Sequence, residues 1–369
     1  MKKYLLVSFI IAIHLVQTAP AIAVDLNVFG DVTFGDSEET GEVSGFSLGQ
    51  LDFWATHKID PDGRFRTFLE LVVESPGEGF IVDLERLWVE FRPASAFRVR
   101  GGRFHTSLGH WNRAFHHGTH MQTTVFRPLF LDFEDGKSAI LPTHMVGLMG
   151  VADQDIGAGH FHFEFQFGNG SSFEQGGELN PGSSGDVDSE KGLAARLIFA
   201  PTFLEGLGIG SSFYLNDISQ TVTTPAGVTI TDLVDQMIYQ ADLTFLDQFD
   251  TNIEFIFEHY WVVNEDGAGK SETTTVWYVQ LAKTFRDMAT PYVRYEAFEN
   301  IHDDPYFRAL GFTGPDATKS EYTQVVYGAR FDFDIAIGAA TSVKVEGRTT
   351  DEPGKGSINS YWLQWTFGF

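Results

Sequence analysis

The sequence predicts an all-β chain, an antiparallel transmembrane β-barrel of about sixteen strands, and three observations carry that reading. Apolar and polar residues alternate with period two along segment after segment, as they do in a strand whose two faces meet different surroundings. Short turns and longer acidic loops connect these segments in alternation. The composition joins 35 Phe, 7 Trp, 11 Tyr and 38 Gly to a mean hydropathy of -0.09, which fits neither a disordered acidic chain nor a helical membrane protein.

The N-terminus is set apart from the barrel. Lys2 and Lys3 precede an apolar run over 4–16, and Ala21-Ile22-Ala23 supplies small residues at a cleavage site. This is the three-part pattern of a secretory signal peptide, so residues 1–23 are expected to be removed and 24–369 to form one barrel domain. No later run of about 20 apolar residues offers a spanning helix. Of the 369 residues, 50 are Asp or Glu and 25 are Lys or Arg, for a formal charge of -25. That balance argues against a nucleic-acid partner, whose phosphates need clustered positive charge. With no cysteine present, disulfides and thiolate metal sites are excluded.

The strands follow in order. Alternation predicts 26–34, 45–57, 64–74, 80–92, 97–104, 144–152, 160–168 and 192–200 in the first half. It predicts 207–216, 234–246, 251–262, 273–285, 290–299, 321–333, 341–350 and 358–369 in the second. The clearest cases are Phe161, Phe163, Phe165 and Phe167 alternating with His160, His162, Glu164 and Gln166, and Tyr361, Leu363, Trp365, Phe367 and Phe369 sharing one face of the last strand. A one-residue slip would move every one of these side chains to the other face, so register is strongly specified. Turns after even-numbered strands are short, as in Asp60-Pro61-Asp62-Gly63, whereas those after odd-numbered strands are mostly longer and acidic. A soluble β-sandwich also alternates. Against it, aromatic residues mark strand ends at Trp88, Tyr214, Tyr239, Trp261, Trp277 and Tyr361, as expected of girdles at two membrane interfaces.

With its leader, strand and loop pattern and the terminal run Tyr361-Trp362-Leu363-Gln364-Trp365-Thr366-Phe367-Gly368-Phe369, the chain resembles a Gram-negative outer-membrane porin. The resemblance implies short periplasmic turns, long extracellular loops, Sec-dependent export and a third loop folded into the lumen. It also implies that Phe369 is the assembly signal read by the barrel-assembly machinery. The implied surroundings are outer-membrane lipid and lipopolysaccharide, with small hydrophilic solutes as cargo and a homotrimer as the assembly.

In a barrel of this size the polar face lines a water-filled lumen. That assignment turns Arg66, Glu70 and Glu74 of the third predicted strand inward, with Arg86, Trp88, Glu90 and Arg92 of the fourth and Arg98 and Arg100 of the fifth. The longest connection, 105–143, carries His105, His110, Arg113, His116, His117, His120 and Arg127, then Asp132, Glu134 and Asp135. By the resemblance its acidic end faces the arginine wall and sets a transverse field at the constriction. The segment 102–111 is similar to the strand-to-loop junction of anion-type porins, although Lys137 is the only lysine in the loop.

Imidazole suits zinc, copper or nickel, so His116, His117, His120, His160 and His162 are candidate metal ligands. No HExxH accompanies them, and Gly118 breaks any helix that would align His116 with His120. A hydrated histidine cluster gaining positive charge below about pH 6.5 accounts for the same residues. Acidic clusters at Asp36, Glu38, Glu39 and Glu42, at Glu265 and Asp266, and at Asp303 and Asp304 suggest loosely bound divalent cations on the outer surface. No cofactor is implied. The function expected is passive diffusion of small hydrophilic solutes or ions. The alternatives are a transition-metal channel using the histidine-rich loop, a barrel enzyme centred on Ser107 near His105, and a structural barrel sheathing a partner protein.

Overall fold

The computed structural model describes residues 24–39, 43–75, 79–115, 118–131, 141–173, 179–180, 190–224, 227–247, 251–301, 303–309, 321–336, 339–351 and 356–369. Residues 1–23, expected to be a removed leader, lie outside them.

Sixteen long strands form the wall. They are β1 (Asp25–Ser37), β2 (Gly45–Lys58), β3 (Phe65–Glu74), β4 (Ile81–Ala94), β5 (Phe97–His105), β6 (His144–Ile156), β7 (Gly159–Asn169) and β8 (Lys191–Pro201). The second half comprises β9 (Leu207–Thr224), β10 (Gly227–Asp247), β11 (Ile253–Asp266), β12 (Ser271–Lys283), β13 (Ala289–Glu299), β14 (Glu321–Ala336), β15 (Ala339–Asp351) and β16 (Ser357–Gly368). Each pairs antiparallel with its sequence neighbours, and β1 pairs with β16 from Phe29 opposite Gly368 to Ser37 opposite Ser360. The sheet therefore closes on itself, which leaves no unpaired edge. Two-residue pieces, Ser172–Phe173 and Leu179–Asn180, add a small ladder at the long-loop rim.

Side-chain burial separates the two faces. On β7, Phe163, Phe165 and Phe167 are 42%, 46% and 46% exposed on the outer wall, while Glu164 and Gln166 between them are 1% and 0% exposed inside. On β16 the exposed set is Tyr361, Leu363 and Trp365, and the buried set is Gln364 and Thr366. Apolar outside and polar inside inverts a soluble core and matches a wall between hydrocarbon and an internal polar space.

All the expected strands are present. The largest difference is the β9–β10 hairpin, which continues to 224 and starts again at 227 where alternation ended at 216 and resumed at 234. Ser219 and Gln220, adjacent and both polar, interrupt the alternation there, so pairing persists after the amphipathic signal has gone. One of the expected girdle residues also points the other way: Tyr214 is fully buried within the barrel. Trp88, which marks a strand end but shares the parity of Arg86 and Glu90, stacks inside on Phe68 at 5.4 Å, on the face that parity assigns it. Tyr239, Trp261 and Tyr361 are exposed on the outside as expected.

Turn chemistry is local. In the β2–β3 turn Asp60 Oδ1 accepts the Phe65 N–H at 2.6 Å, and Gly63 takes the positive φ of 66° that the turn requires. At the other end of the barrel the lumen is partly filled. A short helix α1 (Trp111–Phe115) and a 3₁₀ turn (Leu129–Leu131) from the β5–β6 loop pack with α2 (Pro305–Ala309) on inward-facing Tyr260, Tyr278 and Phe298.

Candidate functional site: the lumen and its inserted loop

The arginine wall is an interleaved ladder of cations, carboxylates and aromatic rings. Arg86 pairs with Glu70 and lies 4.6 Å from the Phe68 ring centre and 5.2 Å from that of Trp54. Trp54 Nε1 donates to the other oxygen of Glu70 at 2.7 Å. Arg100 covers Trp88 at 4.5 Å and donates to Glu90 Oε2 at 2.8 Å, while Arg92 approaches Glu90 Oε1 at 3.5 Å. Arg98 pairs with Asp153 of β6. Each of these four arginines thus has a wall carboxylate against it. Arg66 is also half-buried, and its Nε has no partner among the described residues. Asp132, Glu134 and Asp135, expected to face this wall from the loop, lie outside the described residues.

The inserted loop is gripped through its backbone by the opposite wall. A chain crossing a lumen has no ladder partners, so its N–H and C=O groups need side-chain partners or water. Buried carboxylates take the donors: Glu258 accepts from His110 and Trp111, Glu346 from Val125 at 2.7 Å and Glu296 from Leu129 at 2.6 Å. Cations take the acceptors. Lys344 Nζ donates to the carbonyls of Thr119 and Thr124, Arg330 to those of His120 and Gln122, and Arg294 to those of Phe126 and Arg127. The root of the loop is tied by Ser107 and Arg113 to Glu164 on β7. Ser107, considered as a nucleophile beside His105, donates instead to that carboxylate. Close approach at the root requires glycine: a Cβ on Gly109, which has φ 67°, would sit 1.9 Å from Tyr260 Oη and 2.2 Å from Glu258 Oε2.

Two cavities flank the same stretch of loop. One of about 440 Å³ lies toward the long-loop end, lined by Asp31, Gln50, Glu74, Gln122, Arg348 and Trp362 among others. The other, of about 360 Å³, lies toward the short-turn end against Met121, Thr123, Asp247, Glu254, Arg330 and Asp332. Residues 119–126 therefore divide a mixed apolar and charged space above from a mainly polar space below.

The histidines divide into unrelated groups. His110 and His120 sit in the inserted loop, and both are lowered to about pKa 4. Burial is the largest cause in each, followed by Arg196 and Arg113 for His110 and by Arg330 and Lys344 for His120. They stay neutral from pH 7.5 to 5.5, so these two do not supply the positive charge expected of a hydrated cluster. His120 Nδ1 meets Thr366 Oγ1 at 2.9 Å, on the β16 wall. His160 and His162 come together with Asp153 on β6 and β7, away from His120. His116 and His117 lie outside the described residues. Asp304, expected in a solvated external cluster, is buried, and its carboxylate accepts from Asn264, Thr274 and the N–H of Tyr306 at the start of α2.

The loop anchors escaped the sequence reading, although the signal was present. Glu258, Arg294, Glu296, Lys344 and Glu346 occupy inward positions of the same alternation that placed Arg86 and Glu90, and extending that rule past β5 finds them. What alternation does not contain is the pairing of those side chains with a loop more than a hundred residues away.

No family model and no curated protein matches the chain. Solved structures do. OmpT of Vibrio cholerae, folded in vitro and in its trimer form, matches with a TM-score of 0.58 at 9% identity, over 95% of this chain and 100% of that one. An anion-selective porin from Comamonas acidovorans gives 0.57 at 11% identity over 94% and 99%. Salmonella typhi OmpF in complex with daunomycin gives 0.58 at 12% identity over 94% and 98%. At these identities the likeness shows the fold, which is the sixteen-stranded barrel of Gram-negative outer-membrane porins.

Proposed function

We propose that the chain forms a water-filled channel in the outer membrane of a Gram-negative bacterium and passes small hydrophilic solutes and ions by passive diffusion. The observation that carries this reading is the pair of cavities on opposite sides of loop residues 119–126, each with charged side chains in its lining, Asp31, Glu74 and Arg348 in one and Glu254, Arg330 and Asp332 in the other. A solute crossing between them meets hydrogen-bonding side chains in place of bulk water, which favours polar over apolar cargo. The paired arginine ladder supports selection by local dipoles more than by net charge, because Arg86, Arg92, Arg98 and Arg100 each have a carboxylate within reach. No cofactor, energy source or catalytic group enters this account. A homotrimer is part of the proposal, resting on the likeness to a barrel described in a trimer form.

Planar-bilayer recording on the purified, folded barrel in chelator-containing buffer is the test. Stepwise conductance together with liposome swelling by monosaccharides is expected. A folded barrel that conducts no better than the bare bilayer would sink the channel reading and leave a sheath around a partner protein.

A further inference from the structure

The short-turn rim carries a histidine pair that neither the loop clamp nor the arginine ladder uses, set between Asp153, the partner of Arg98, and Glu164, the anchor of the loop root. Antiparallel pairing of β6 with β7 sets Asp153 opposite His162 and Asp155 opposite His160. His160 and His162 share the inner face with Glu164, because Phe161 and Phe163 take the outer one. Ligand atoms of Asp153, His160 and His162 all lie within 4.8 Å of one another.

We propose that Asp153, His160 and His162 bind a divalent transition-metal ion of the zinc class at the mouth of the lumen. One oxygen, Asp153 Oδ1, faces both rings, 2.6 Å from His162 Nδ1 and 3.4 Å from His160 Nε2. Two ligands of a tetrahedral ion with bonds of roughly 2.1 Å stand about 3.4 Å apart. The His160–Asp153 pair is at that spacing, and the His162–Asp153 pair, hydrogen-bonded at 2.6 Å, opens by about 0.8 Å when an ion takes the place of the shared proton. Ligand type agrees, since two imidazoles and a carboxylate suit zinc, copper or nickel over calcium or magnesium.

The outer partners argue for a built site. His162 turns its other nitrogen, Nε2, to Glu164 Oε1 at 2.9 Å, and His160 turns Nδ1 to Asp155 Oδ1 at 2.7 Å. A ring N–H donated to a carboxylate fixes the tautomer and leaves the lone pair of the opposite nitrogen for a metal, the usual arrangement behind ligating histidines. Arg98 holds Asp153 Oδ2, which leaves Oδ1 as a single-oxygen ligand. Binding replaces any proton shared between Asp153 and the rings, so each imidazole that starts doubly protonated releases one proton as its metal bond forms. The exposed side chains of His160 and Asp155 give an entry path from solvent, and water completes the coordination. Glu164 also holds Ser107 and Arg113, so an ion here bears on the residue that tethers the inserted loop.

The test uses the untagged folded barrel, stripped with chelator and titrated with zinc chloride by calorimetry, with cobalt chloride as an optical probe. One saturable site per chain is expected, along with visible cobalt bands of tetrahedral intensity. The variant His160→Ala/His162→Ala should lose that site, and Asp155→Asn, at an exposed position near the end of β6, should weaken it about 10- to 100-fold. Replacing His116, His117 and His120 by Ala should leave it unchanged. Heat-modifiable mobility on gels shows which variants are folded, and the cobalt spectrum of the unaltered protein stands without any variant. Absence of a saturable site in the unaltered barrel, or a site that survives in the folded double variant, overturns the proposal. Conductance in chelator is read separately, so failure of metal binding and failure of the channel reading are distinct outcomes.

Discussion

Glu258 and Trp111 join the far wall to the root of the inserted loop: Glu258 Oε1 accepts the Trp111 N–H at 2.8 Å, while Oε2 accepts that of His110 at the same distance. The hydroxyls of Tyr260 and Tyr278 donate to the same fully buried carboxylate, each at 2.6 Å. Hydrogen bonds to a charged group are worth about 1.5–3 kcal/mol each. Glu258→Ala removes these four and a longer one from Gln240 Nε2 at 3.3 Å, and the strands around it keep their ladder. The loop root should therefore detach from an intact barrel, giving larger and noisier single-channel conductance and new protease cleavage within residues 106–131. Unchanged conductance with full protection would show that the loop is held elsewhere.

The loop tip makes a separate case. Lys344 supplies donors to the carbonyls of Thr119 and Thr124, both within the segment that divides the two cavities. Lys344→Met keeps the side-chain length but removes the donors, while Glu346 still holds Val125 N–H. The tip should move without the root, widening the passage. Liposome swelling should then speed up more for a trisaccharide than for a monosaccharide, and an unchanged ratio of the two rates counts against the clamp.

The wall was legible in the sequence because each strand separates two environments locally, so Phe163 and Glu164 carry their placement in their own neighbours. Tyr214 departs from its expected girdle position because an aromatic ring near a strand end satisfies either face, and only its parity with Ser212 settles which, as parity with Glu90 does for Trp88. The polar end of the β9–β10 hairpin lost its period along with its amphipathic surroundings. Asp153 was passed over as a ligand because its partners His160 and His162 lie across a strand pair, where register decides contact.

Charge preference should respond to the arginine ladder. Glu90 is shared by Arg92 and Arg100, and Arg100 makes the shorter contact at 2.8 Å against 3.5 Å. Arg100→Ala leaves more uncompensated negative charge in the lumen, so the reversal potential across a potassium chloride gradient should move toward potassium. Glu90→Gln should move it toward chloride. Both shifts should shrink between 0.1 and 1 M salt, as the screening length falls from about 10 Å to about 3 Å. Shifts of the same sign for the two variants would refute the local-pair account.

Acid should loosen the loop at a pH set by its histidines. His110 and His120 have folded values near 4, below the ordinary 6.5. A group with a depressed value stabilises the folded form fully above its unfolded pKa and loses that contribution as pH falls toward the folded one. Loop anchorage, followed by protease protection and current noise, should hardly change at these sites from pH 7.5 to 6.5, weaken below that and fail near pH 4. His120→Gln, which keeps a hydrogen-bonding group for Thr366 without titrating, should reduce the loss. Equal acid sensitivity in the variant would place the titrating group elsewhere.

Phe369 can act in two ways that separate experimentally. Its backbone closes the seam, with Val28 N–H donating to Phe369 O at 2.8 Å and Phe369 N–H to Val28 O at 3.0 Å. Its ring is 62% exposed, stacked 6.5 Å from that of Phe367 on the outer face, where it adds little to internal packing. A seam role depends on the backbone, and an assembly-signal role, as the porin resemblance implies, depends on the ring. Phe369→Ala keeps both seam bonds and should refold in detergent at nearly the unaltered rate, whereas deletion of the residue removes both bonds and should slow refolding and lower the melting temperature. In cells the order changes, because a lost ring should impair assembly about as much as deletion does. Heat-modifiable barrel in outer-membrane fractions measures that, and normal assembly of Phe369→Ala would leave the residue with the seam alone.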